Sequence, residues 1–333
     1  MTTSASRSLR PAISCVVPAF NEAANLPTLL TLLTAQLRSL ADAWEVIVVD
    51  DGSSDASALA IAPWVTSPGV RYVRLSRNFG KEAALTAGID RAEGDVVLLM
   101  DADLQHPPEL VPQMLAAWQR GADMVCAARA SRSDESWSKR LGSAVFYRLV
   151  NANSSVKIPV DAGDFRLMDR AVVDALKSLP ERNRFMKGLY AWVGFRTEII
   201  DYTPLERHAG VTTFSSKRLV GLALTGVTAF TNFPLRLWSG VGALIALIAF
   251  GYGMMIVFEH FFYGHDVPGY ATLVTSLMFF SGVQLLSIGI LGEYVGRIFD
   301  EVKQRPVYLV GHEAGKGAIH AAAGPAPRAT PPA

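Results

Sequence analysis

The residues Asp101-Ala102-Asp103-Leu104-Gln105 follow directly on an apolar run, Val96-Val97-Leu98-Leu99-Met100. A strand that ends in two carboxylates and a carboxamide offers hard oxygen ligands, the donor set of Mg2+ or Mn2+. Such a cation usually takes one or two protein carboxylates and completes its shell with water and substrate phosphates. Asp101, Asp103 and Gln105 therefore suit a diphosphate-handling site better than a closed cation cage. A turn with solvated acids is the plainer alternative for this stretch taken alone. Two other apolar runs end in the same manner. ISCVVPAF leads into Asn21 and Glu22, and WEVIVVD into Asp50, Asp51, Ser53 and Asp55. Three polar ends on one edge can hold a nucleotide, with Asp51 accepting hydrogen bonds from base or ribose and the phosphates facing the cation. Neither Gly80-Lys81 nor Gly315-Lys316 has the glycine that a P-loop places five residues ahead, and no strand runs into GxGxxG.

These residues need a scaffold, and residues 12 to 130 supply its pattern. Short apolar runs (ISCVVPAF, WEVIVVD, VRYVRLS, DVVLLMDAD, DMVCAAR) alternate with segments of helical spacing (NLPTLLTLLTAQLRSL, SALAIAPWV, KEAALTAGIDRA, PPELVPQMLAAWQRG). Strand alternating with helix predicts parallel strands joined by crossovers, an α/β doubly wound sheet. Ligands of such sheets bind at the carboxyl ends of the strands, where the acids fall.

The chain has 333 residues and a formal net charge of +1, which argues against a nucleic-acid partner. Its mean hydropathy of +0.25 is high for a water-soluble chain and points to apolar spans. Residues 239–258 and 271–291 carry no charged side chain. Each is long enough as a helix, roughly 30 Å, to cross a bilayer core. The connection, EHFFYGHDVPGY, lacks Lys and Arg, whereas Lys217, Arg218 and Arg236 flank one side and Arg297, Lys303 and Arg305 the other. The positive-inside rule then predicts a hairpin with both ends cytoplasmic. Residues 136–156 and 215–238 mix basic and apolar side chains, as helices in the headgroup layer do, although surface helices packed on the head have the same composition. Cys15 and Cys126 lie in apolar runs and read as buried hydrophobes. The first 12 residues lack the apolar core of a cleaved signal, and the Ala/Pro/Gly-rich end from residue 311 reads as disordered. Gly292-x-x-x-Gly296 leaves open homo-oligomer contacts or internal packing.

The stretches VVPAFNEAANL, VIVVDDGSSD, LSRNFGKEAALTAGI, LLMDADLQHPPE, DAGDFRLMDR and QLLSIGILGEYVGRIFDEVKQRP together resemble the family 2 glycosyltransferases of GT-A fold. Within these the chain is most similar to the membrane-bound polyprenyl-phosphate glycosyltransferases, the bactoprenol glucosyltransferases and the dolichyl-phosphate mannose synthase relatives, over about residues 12–310. The resemblance implies a flexible start (1–11), a GT-A catalytic domain (12–214), a juxtamembrane helix (215–235), and transmembrane helices at 236–260 and 270–298. It implies that Pro18, Phe20, Glu22 and Asp51 bind the nucleotide, with Asp101 and Ala102 beside ribose and diphosphate. Asp103 and Gln105 would hold Mg2+ or Mn2+. Arg129 and Arg207 fall where relatives place phosphate-contacting arginines. Relatives carry a lysine at the position of Thr213, and Lys217, one turn on, is the candidate replacement. Arg166 of GDFRL is a supporting or acceptor contact, with a structural turn at DFR as the alternative.

A polyprenyl phosphate is already largely anionic near neutral pH, since its second pKa is about 6. It can attack a sugar's anomeric carbon without a strong base, which predicts a metal-dependent, inverting transfer at the inner (cytoplasmic) membrane. UDP-glucose is the favoured donor; GDP-mannose, UDP-N-acetylhexosamine and UDP-aminoarabinose derivatives stay open. Two rivals have discriminating features. A processive polysaccharide synthase would carry Q-x-x-R-W, which does not occur here, and more spans. A metal-binding membrane scaffold would not hydrolyse a nucleotide sugar.

Overall fold

The computed structural model describes residues 7–129, 162–182, 184–203, 233–263, 269–317 and 319. The expected interfacial helix at 136–156, the juxtamembrane helix up to residue 232, Arg207, Thr213 and Lys217 lie outside the described residues. So does the chain beyond residue 319.

Eight strands form one sheet in the order β7-β5-β6-β4-β1-β2-β3-β8. They are β1 (Ile13–Ala19), β2 (Trp44–Asp50), β3 (Val70–Leu75), β4 (Val96–Leu99), β5 (Met124–Arg129), β6 (Ala162–Asp169), β7 (Thr197–Tyr202) and β8 (Val310–Gly315). β1 pairs in parallel with β2 and β4, β2 with β3, and β5 with β7. β6 runs antiparallel between β4 and β5, and β8 antiparallel on the outer edge of β3. The mixed, mostly parallel sheet is the α/β architecture expected.

β1, β2 and β4 are buried along their whole length, as strands covered on both faces must be. Alternation of side chains splits them between two cores. Cys15, Val17, Val46 and Val48 pack with α1 (Leu26–Leu40), α2 (Ser57–Ile61) and α4 (Val111–Gln119). Val16, Ile47 and Val49 pack with α3 (Lys81–Arg91), α5 (Arg170–Ser178) and α6 (Met186–Trp192). In α1, Leu26, Leu29, Leu30, Leu33 and Leu37 recur at helical spacing and are buried, so one stripe faces the sheet. Both cysteines are free and buried, as their setting predicted.

Two long helices follow, α7 (Phe233–Tyr263) and α8 (Tyr270–Val302). By length and composition Thr272–Val302 suffices to cross a membrane; Gly240–Ile256 is a shorter apolar segment. Leu247, Phe250, Leu277, Met278 and Leu285 are exposed on them, the reverse of a soluble core helix. Trp238 Nε1 donates to Ser287 Oγ between the pair.

Two terminal expectations are corrected. The unstructured tail does not begin at residue 311, because 310–315 form β8. The open edge of β3 explains this, with Arg71 and Arg91 offering Glu313 contacts of 3.1 and 3.3 Å. Residues 1–11 are not uniformly loose either, since the Arg7 guanidinium donates to the Ala122 carbonyl at 2.6 Å and to Asp123 at 2.7 Å.

Candidate active site

The register fixes one edge. Ala19 lies across from Asp50 and Val16 across from Leu99, so β1, β2 and β4 end side by side. The Asp51 N–H donates to the Ala19 carbonyl at 2.9 Å and the Met100 N–H to the Val16 carbonyl at 3.1 Å. The three polar ends read from the sequence converge here.

The loops after β1 and β2 are laced together. The Asn21 N–H donates to Ser53 Oγ, the Glu22 N–H to Ser57 Oγ, and Asn21 Oδ1 accepts from the Ser54 N–H, each at 2.9 Å. Glu22 Oε2 accepts from Asn25 Nδ2 at 2.6 Å. Gly52 has φ +70°, and a Cβ there would lie 2.5 Å from the Arg77 carbonyl carbon, so this turn demands glycine. Asp50 is structural: it accepts from the Tyr72 hydroxyl at 2.5 Å and the Ser53 N–H at 2.7 Å. Asp51 accepts from the N–H groups of Phe79 and Gly80 at 2.7 and 2.8 Å, tying this edge to the start of α3. Burial raises the Asp51 pKa and those two hydrogen bonds oppose the shift. Pro18 is buried in β1, and Phe20 stands exposed just past its end.

At the end of β4 the Asp101 N–H donates to His106 Nδ1 at 3.2 Å. His106 is buried and stacks on Phe165 at 4.7 Å; burial lowers its pKa against the pull of Asp101 and Asp103. Asp103 Oδ1 accepts from the Gln105 N–H at 3.2 Å. Leu104 between them has φ +61°, an uncommon backbone for a leucine, and Ala102 is buried.

The antiparallel β6 completes the edge. Leu99 pairs with Arg166, and continuing that register past β4 sets Asp164 across from Asp101. Lys81 Nζ bridges them, 2.7 Å from Asp101 Oδ1, 2.8 Å from Asp101 Oδ2 and 2.7 Å from Asp164 Oδ2. Enclosure opposes the ammonium, but the two carboxylates hold its pKa well above the ordinary lysine value. Burial likewise works against an ionised Asp164, and Lys81 and Lys187 overcome it, holding its pKa well below the usual carboxylate range. Asp164 Oδ1 is buried without a hydrogen-bond partner. The Lys81 and Asp101 side chains keep 44% and 26% of their accessibility, so the ion pair lines an open edge.

Asp101, Ala102, Asp103, Gln105, Asp51, Glu22, Pro18 and Phe20 are thus brought to one edge. Arg129 ends β5, and its side chain lies outside the described part. Arg166 has the contacts of a supporting residue. It is buried, its guanidinium donates to the Gly163 carbonyl at 2.5 Å and lies 3.6 Å from the Tyr190 ring centre, so it braces β6 from within. Lys81, His106 and Asp164 were missed as site residues, although each sits in a stretch that carried the family resemblance.

Asp101, Asp103 and Gln105 supply only oxygen donors, and among the described residues no three His, Cys, Asp or Glu side chains form a ready cation cage. The donor set fits a hard divalent cation whose shell is completed by substrate oxygens.

Residues 14–177 match the glycosyl transferase family 2 profile and residues 233–298 the GtrB C-terminal hairpin. The chain is 45% identical over 299 residues to the SfII prophage-derived bactoprenol glucosyl transferase of Shigella flexneri, covering 90% of this chain and 97% of that protein. It is 44% identical to an uncharacterized glycosyltransferase of Synechocystis, covering 90% of this chain and 94% of that one. Among solved structures, glucosyl-3-phosphoglycerate synthase from Mycobacterium tuberculosis in complex with Mn2+, UDP-glucose and phosphoglyceric acid matches at TM-score 0.47 and 20% identity, over 66% of this chain and 78% of that one. With nearly the full length of these relatives spanned at this identity, and an acid-ended α/β edge followed in the chain by an apolar helix pair, the chain belongs to glycosyl transferase family 2.

Proposed function

We propose that the chain transfers glucose from UDP-glucose to a polyprenyl phosphate, undecaprenyl phosphate in a bacterial membrane, yielding a lipid-phosphate sugar. The observation that carries this reading is the union, in one chain, of an acid-ended strand edge with an exposed apolar helix pair. Its relatives named as bactoprenol glucosyl transferases support the same donor sugar and acceptor class. The Lys and Arg asymmetry around the hairpin supports a multi-pass anchor with the head in the cytoplasm.

In this reading a phosphate oxygen of the lipid forms the new bond to the sugar's anomeric carbon while the bond to the nucleoside diphosphate breaks, and the diphosphate leaves with the electron pair. One displacement inverts the centre, so an α-linked donor gives a β-linked product. The acceptor arrives ionised and needs no strong base. Asp103 and Gln105, with Asp101 beside them, would hold Mg2+ or Mn2+, which when bound supplies positive charge to the departing diphosphate. Phe20, Glu22 and Asp51 border the nucleoside, and the laced loops of Asn21, Ser53 and Ser57 keep that border rigid before the donor arrives. Arg129 and Arg207 are proposed to hold the acceptor phosphate against the donor.

The test is a donor screen on membranes containing undecaprenyl phosphate. Release of UDP with glucose recovered in the lipid extract is expected. Label retained as a growing polymer would favour a polysaccharide synthase, and no turnover with any donor would favour a scaffold; either result overturns the proposal.

A further inference from the structure

The lysine that bridges the two acids has no place in the mechanism above, and its geometry gives it one. Lys81 Nζ meets both oxygens of Asp101 at 2.7 and 2.8 Å and one oxygen of Asp164 at 2.7 Å. Asp101 adjoins the donor set of Asp103 and Gln105, so the ammonium neutralises a carboxylate beside the place where a divalent cation and a diphosphate would bring charge. The buried Asp164 Oδ1 beside this pair has no hydrogen-bond partner. Lys81 is also the first residue of α3, and the residue before it, Gly80, donates its N–H to Asp51 at the nucleotide edge. One short segment therefore touches both the nucleoside border and the diphosphate border. A lysine ammonium is a compact point charge on a flexible stem, suited to exchanging one anion for another.

We propose that Lys81 is the resident counter-cation of the donor site. In the empty enzyme it holds Asp101 and Asp164 together. When a nucleoside diphosphate arrives with its divalent cation, the ammonium moves onto diphosphate oxygens and frees Asp101 for the metal side of the site. Metal and nucleotide then bind in mutual support, each poorly alone, because either by itself must compete with the ion pair. The inference rests on the nucleotide-sugar reading above.

The test measures binding, apart from turnover, on the full-length chain in detergent or nanodiscs. Mn2+ is titrated with and without UDP, and UDP with and without Mn2+, for the wild type, Lys81→Met and Lys81→Arg. In Lys81→Met, Mn2+ affinity without nucleotide rises about tenfold, UDP affinity without metal falls about tenfold, and the coupling between the two shrinks, on the scale typical of linked sites. Lys81→Arg, which keeps the charge, retains the wild-type coupling. A Lys81→Met variant whose Mn2+ affinity is unchanged, or which loses both affinities in parallel, overturns the inference, since a mere structural prop would do the latter. If Lys81→Met does not fold, the wild type decides alone: Mn2+ binding as tight without UDP as with it also overturns the inference. Wild-type protein that binds UDP under no condition instead sinks the nucleotide-sugar reading itself, so the two failures are distinct.

Discussion

Gly88 connects the packing of the head to the geometry of its site, and replacing it by alanine tests that connection. It lies in α3 against β1, and a Cβ added there would stand 2.2 Å from Val16 Cγ1 and 3.2 Å from Val16 Cβ and Cγ2. Carbon atoms in contact sit about 3.5–4.0 Å apart, so either Val16 or the helix must yield by more than an ångström. Val16 is fully buried between β2 and β4, and a close-packed interior has little room to give. Overpacking of this kind costs about 1–3 kcal/mol. Alanine recovers roughly 0.5–1 kcal/mol of helix propensity, leaving a net loss of about 1–2 kcal/mol. The same displacement carries Lys81, two turns upstream, away from Asp101 and Asp164. A misplacement near 1 Å can lower turnover by about 100-fold. Val16→Ala alone costs about 2 kcal/mol, from two lost methyl groups and the space they leave. Combined with Gly88→Ala it makes room for the new methyl, so the double variant is more stable than the sum of singles by about 1 kcal/mol and regains activity. Denaturant midpoints for the four members of the cycle, with transfer rates for each, provide the measurement. Strict additivity, or a Gly88→Ala protein of wild-type stability and rate, would refute the reasoning.

Asp103→Ala is expected to lower transfer by at least about 100-fold, the scale for removing one group that stabilises developing charge. It should leave the head folded, because the buried cores of the sheet do not include it and its hydrogen bond from the Gln105 N–H is worth only about 1 kcal/mol; full activity in a lipid-extraction assay would remove Asp103 from the metal site. Glu82 gives a pH prediction. Burial, and then the charge of Asp164, push its pKa from 4.5 up to about 7, against the N–H donated by Met186 at 3.2 Å. A carboxyl raised in the folded state contributes stability that is complete below 4.5 and is lost as pH rises through about 7. At about 1.4 kcal/mol per pH unit the loss is at most about 3.5 kcal/mol. Glu82→Gln should flatten the stability profile across that window in metal-free buffer, and an unchanged slope between pH 5 and pH 8 would contradict the assignment.

Much of the head was legible because its instructions are local. Apolar runs such as ISCVV and VVLLM can only be covered strands, and their abrupt acid ends mark the edge that Asp51, Asp101 and Asp103 share. The hydropathy of 239–291 announced the helix pair for the same reason. What stayed hidden depends on pairing across distance. Nothing near Asp164 says that β6 will run antiparallel beside β4, and only that reversal brings it to Asp101. Lys81, read locally, is a glycine-lysine pair that fails as a P-loop; that reading is right, yet it does not show that α3 aims the side chain at two acids. The sequence left Arg166 between a supporting and an acceptor role, and its place over the Tyr190 ring inside the fold depends on packing that no local pattern announces. β8 was obscured by the Ala/Pro/Gly content of the residues that follow it.

The return of the chain from α8 to the sheet has a mechanical consequence. Seven residues, 303–309, separate the end of α8 from β8, a reach of at most about 29 Å when fully stretched. The Glu301 carboxylate also accepts the Arg182 N–H at 3.0 Å, and Tyr308 donates to Asp90 at 2.8 Å, which shortens that leash. Held at Glu301, at Tyr308 and along β8, this return gives the end of α8 little freedom to swing against the sheet. Pulling on α8 would peel β8 from the sheet's rim before it disturbed the strands that carry the acids.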